Sequence, residues 1–78
     1  MKWNHILENS PEEGESIIQL NPPYLGHSAM GMRTWDCSKD AWKSCLEYYQ
    51  LQGTDLPNFW WISVKDFPFP FDINHYVT

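Results

Sequence analysis

Aromatic residues dominate this chain: five Trp, four Tyr and four Phe stand among 78 residues. A single domain of that length buries only about 60–65% of the surface its unfolded chain exposes, so its core is thin. Chains this small are held together by disulfides, a metal, self-association or unusually bulky core residues. Each buried ring removes about 150–250 Å² from water, an upper-bound gain of about 4–6 kcal/mol. The aromatics are therefore core mass first. So thin a core cannot enclose all of them, and some rings are expected at the surface.

The arrangement of the apolar residues points to an α+β fold in one domain, residues 1–78. The expected architecture is a small antiparallel sheet of three to four strands with one amphipathic helix packed on a face. Residues 1–9 fit a short strand or a single helical turn. Ser10-Pro11-Glu12-Glu13-Gly14 has turn chemistry, and Ser10 with Glu13 also fits a capping box. Residues 15–20 are short and β-branched, hence a strand, and Pro22-Pro23 ends it. Residues 28–35 read as a second strand in which Gly31 marks a bulge or a close crossing.

Ser38 reads as a helix N-cap. From Lys39 to Leu51 the apolar residues Trp42, Cys45, Leu46 and Tyr49 recur at one-face spacing, and Gly53 suits the residue just past the end. Residues 59–65 form a strong strand, with Trp60, Ile62 and Val64 on its apolar face and Phe59, Trp61, Ser63 and Lys65 on a mixed one. The expected core is Ile18, Leu20, Met30, Met32, Trp42, Cys45, Leu46, Tyr49, Trp60, Ile62 and Val64. Residues 66–78 form an extended Phe/Pro-rich segment, because its prolines forbid a helix and disfavour a central strand. Tyr24 to His27 read as loop, and residues 73–78 as a poorly ordered end.

Ten acidic against five basic residues give a formal charge of −5 at pH 7. The bases (Lys2, Arg33, Lys39, Lys43, Lys65) form no stripe, so no direct contact with nucleic acid is expected. Acidity leaves room for a decoy that imitates nucleic acid, although dedicated mimics carry denser acid. No apolar run has signal-peptide or membrane-span character, so no membrane partner and a cytoplasmic location with reduced thiols are expected. Cys37 and Cys45 are eight apart, too far for a structural zinc pair, and no metal or cofactor is expected. Cys37 precedes a helix N-terminus, where the dipole lowers a thiol pKa, and a pairing with His5 or His27 is conceivable. No local signature supports it, no glycine-rich phosphate loop exists, and no catalytic residues are assigned.

Protein binding is the class that fits, since interface centres favour Trp, Tyr, Phe, Met and Arg. The expected partner-binding residues are Phe59, Trp61, Phe67, Phe69 and Phe71. The competing role for Phe67-Pro68-Phe69-Pro70-Phe71 is a strap over the domain's own sheet.

The order of signals resembles a known family. Trp3, Pro11-Glu12-Glu13-Gly14-Glu15, Ile17-Ile18, Gly31, Trp42, Trp61 and Pro68-x-Pro70 together look like the small uncharacterised phage and prophage proteins grouped as "domain of unknown function 551". The chain departs from that pattern in its extended helical stretch over 39–51 and in Phe-Pro-Phe-Pro where the family tends to show Leu-Pro with Pro. The resemblance implies an accessory protein of a phage or mobile element, located in the host cytoplasm. Such proteins commonly bind and inhibit a host or defence protein, CRISPR effectors included. The expected function is thus a non-catalytic inhibitor or modulator. The alternatives are an acidic decoy and a small thiol- or metal-dependent enzyme.

Overall fold

The computed structural model describes residues 2–23 and 29–70. The loop expected over 24–27, the poorly ordered end expected over 73–78 and the candidate residue Phe71 lie outside them. Among the described residues four strands, β1 (Asn4–His5), β2 (Ser16–Leu20), β3 (Met30–Thr34) and β4 (Trp60–Ser63), form one antiparallel sheet in the order β1-β4-β2-β3. Helix α1 (Lys39–Gln52) separates β3 from β4, and a 3-10 turn over Val64–Asp66 follows β4. The fold is α+β, as the sequence pattern implies.

Local chemistry accounts for each boundary. The N-terminal segment is both a strand and a turn: after β1, the amides of Glu8 and Asn9 each donate to the His5 carbonyl at 3.0 Å. Gly14 takes a positive φ of 86° and donates its N–H to the Trp35 carbonyl at 2.7 Å. A single capping-type bond forms two residues along from the expected Ser10–Glu13 pair. The Glu15 carboxylate accepts from the Glu12 amide at 3.0 Å, while the Ser10 carbonyl and hydroxyl accept from Lys39 Nζ. Lys39 thereby ties the start of α1 to the 10–12 turn.

Helix α1 is closed at both ends. The Ser38 hydroxyl accepts from the Ala41 amide at 3.1 Å, and Asp40 places negative charge in the first turn. Gly53 turns left-handed at φ 66°, its N–H donating to Gln50 and that of Thr54 to Tyr49. That pair of bonds is a Schellman closure, which a glycine adopts without the steric cost of a Cβ.

Neighbouring residues of a strand point to opposite faces of a sheet. Ile17 and Ile18 are both buried, and so are Trp61 and Ile62, so both faces of this sheet are covered. On the face of the odd-numbered β2 residues, Ile6, Ile17, Trp35 and Trp61 form one core, with Cys37, Trp42 and Phe59 packed against it. On the other face Ile18, Ile62 and Val64 form a second core, covered by Trp3, Phe67 and Phe69. The helix meets the first face through Trp42, whose ring stands edge-on to Trp35 at 5.1 Å. The indole N–H groups of Trp35 and Trp42 are buried with no hydrogen-bond partner among the described residues.

This two-sided arrangement corrects the expected one-sided core. Ile18, Ile62 and Val64 are buried as expected, but Leu20 and Trp60 are half-buried. Met30 and Met32 are 60% and 50% exposed. Among the described residues their strand lies at the sheet edge, with a neighbour on one side only. The helix stripe is also shallower than expected: Trp42, Cys45, Leu46 and Tyr49 are half-buried and α1 has no fully buried residue.

Candidate functional site

The structure separates the residues expected to bind a partner. Trp61 is 8% exposed, not surface-facing. It lies on central strand β4, facing the first core, and its Nε1 donates to the Asn9 carbonyl at 2.8 Å. Phe59 is half-buried on the same side, its ring 6.4 Å from that of Trp35. Phe67 and Phe69 lie on the opposite face, half-buried. Their rings are 4.7 Å apart, and Phe67 meets Trp3 edge-on at 6.4 Å. These four side chains therefore make no single surface, and each takes part in packing.

Cys37 Sγ donates to the Asp36 carboxylate at 3.7 Å. Burial and then the negative charge of Asp36 push the Cys37 thiol above its ordinary pKa, against the lowering expected from the helix terminus. Cys37 is thus expected to react with iodoacetamide more slowly than free cysteine at pH 7.5, with the rate still climbing at a pH where free cysteine has levelled off. Mass spectrometry of the quenched reaction checks this; a rate above that of free cysteine at pH 7.5 would overturn it. Among the described residues, no three His, Cys, Asp or Glu side chains gather where they could hold a metal ion. No helix among them is long and apolar enough to cross a membrane.

The exposed apolar surface is instead at β3. The Asn21 amide donates to the Ala29 carbonyl and the Trp35 amide to the Glu15 carbonyl, both at 2.8 Å. Bonded and non-bonded pairs alternate along an antiparallel ladder. The backbone groups of Gly31 and Arg33 therefore turn toward β2, and those of Met30, Met32 and Thr34 turn outward from the sheet. All five residues of β3 are exposed. The opposite edge, β1, is two residues long, and so short an edge offers little to pair with.

Beside β3 lies an open groove of about 260 Å³, bounded by Gln19, Asn21, Gly31, Arg33 and the two methionines. Its polar side is a directed relay. Arg33 Nη1 donates to Gln19 Oε1 at 3.3 Å, and Gln19 Nε2 donates to Asn21 Oδ1 at 2.9 Å. A guanidinium has no acceptor, so it fixes both amides: each oxygen accepts one bond inside the relay and N–H donors are left at its ends. The guanidinium also lies 5.4 Å from the centre of the Trp35 ring.

Sequence reasoning places Met30 and Met32 in the core and gives Arg33, Gln19 and Asn21 no role. The signal that could have found the edge is composition: a strand of Met-Gly-Met-Arg-Thr holds no β-branched residue before its last, which suits an edge better than a centre. No protein-family model matches the chain, and no curated protein or solved structure shows a significant match to it.

Proposed function

We propose that this chain is a small non-catalytic protein-binding module that inhibits or modulates its partner by occupying the partner's surface through the β3 edge. The supporting observation is that β3 forms a sheet edge with no strand beyond it among the described residues and carries two exposed methionines, while the described aromatic candidates are engaged in packing. Open edges and methionine-rich surfaces are both recognised docking features. The resemblance to phage and prophage proteins supports placing the partner among host or defence proteins.

The test is the double variant Met30→Lys, Met32→Lys. Both side chains already face solvent, so stability is expected to change by no more than about 0.5 kcal/mol. Partner retention in affinity capture from host lysate is expected to fall at least about tenfold, since each lysine must be desolvated at the contact. Undiminished retention by the folded variant would refute the β3 reading. Steep loss of wild-type retention with rising salt would favour an acidic decoy instead.

A further inference from the structure

Resting on the reading of β3 as a docking edge, the geometry points to the chemistry of what docks: we infer that β3 takes up an extended segment of a partner protein as an added strand, with a carboxylate side chain set against Arg33. Charge complementarity carries this choice. The chain has ten acidic residues, yet the one ion pair among its described residues is Lys39–Glu12, and Arg33 has no carboxylate partner among them. None of the described residues lining the groove is acidic. Its polar side offers the remaining guanidinium donors at one end and the Asn21 amide donors at the other, with each intervening amide oxygen already accepting one bond. A guanidinium without a carboxylate partner is completed by an anionic acceptor.

The register says where that acceptor goes. Met30, Met32 and Thr34 present the outward N–H and C=O groups, so an incoming strand bonds opposite them. Its residues opposite Gly31 and Arg33 then fall in the close, non-bonded pairs, on the same face as the Arg33 side chain. A Cβ built on Gly31 would meet nothing within 4 Å, so that position is open to a neighbouring side chain. Gln19 is the cross-strand neighbour of Gly31, and the Arg33–Gln19 bond runs diagonally beside it. A Glu or Asp opposite Gly31 thus meets the guanidinium, while its two flanking residues point to the Met30 and Met32 side and are best apolar. The net charge of −5 does not forbid this, because exposed charges farther than about 8 Å are largely screened at physiological ionic strength.

Three capped nine-residue peptides of alternating Thr and Val, with Glu, Gln or Lys at the centre, test the inference by amide NMR titration of the full-length chain. The Glu peptide is expected to shift the Met30, Met32 and Thr34 amides and to bind at least about tenfold more tightly than the Lys peptide. Arg33→Gln should abolish the preference of Glu over Gln without abolishing binding, and N-methylation of alternate peptide amides should abolish binding. If Glu and Lys peptides bind β3 equally, the carboxylate inference fails while the docking edge stands. If no peptide at millimolar concentration moves the β3 amides, both fail. Concentration-dependent shifts of the same amides without peptide, with a dimer in sedimentation, would overturn the inference in favour of a second copy of the chain.

Discussion

Replacing Trp61 with alanine is expected to destabilise the domain by about 3–5 kcal/mol, enough to unfold much of the population. Domains of this size have about 4–12 kcal/mol in total, so the loss is a large share. Trp61 fills the first core together with Ile6, Ile17 and Trp35, and its neighbours are held by backbone pairing on both sides of β4. They cannot collapse far into the space the ring leaves, so the cavity persists. Trp61→Phe separates ring from hydrogen bond: it keeps most of the volume but leaves the Asn9 carbonyl without its donor, at a cost of about 1–2 kcal/mol. Urea denaturation followed by far-UV circular dichroism reads both. A Trp61→Ala protein with wild-type stability and impaired partner binding would return Trp61 to the role its sequence position suggested.

The reversal at Trp61 shows which features a single sequence of this kind carries. Local chemistry was legible. Ser38 and Gly53 bracket a helix observed over Lys39–Gln52 and expected over 39–51, and β2, β3 and β4 each fall within the strand segments expected for them. Strand order was not. Trp60-Trp61-Ile62 and Ile17-Ile18 are continuous apolar runs, the signature of strands covered on both faces, and forcing them into an alternating pattern put Trp61 outside. The methionines failed for the converse reason: Met30 and Met32 do share a face with Ile18 and Ile62, but β3 is the last strand in the order β1-β4-β2-β3. The place of β4 between β1 and β2 is fixed by pairing between residues forty or more positions apart, as at Ile18 with Ile62, and periodicity carries no information about it. The candidate surface followed the same logic. An exposed edge and a donor relay across β2 and β3 exist only once the register is known.

The second large effect belongs to the Phe/Pro segment. The double variant Phe67→Ala, Phe69→Ala is expected to lose about 2–4 kcal/mol, because each half-buried ring covers part of the second core. Ile18, Ile62 and Val64 form that core, and Trp3, Phe67 and Phe69 are its cover on that face. Truncation after Asp66 removes both rings and should cost at least as much. Pro68 restricts the chain between the two rings, so less entropy is lost when the segment is laid across the sheet. Such a strap acts on the sheet from the side opposite Trp42, so its loss should also lower hydrogen-exchange protection of the β2 and β4 amides. Amide exchange of the double variant, with urea denaturation beside it, measures both. Retained folding and protection in the truncated chain, together with lost partner binding, would make the segment a docking peptide. Lost folding assigns it to the domain's own core, and leaves β3 as the surface on which binding variants should be sought.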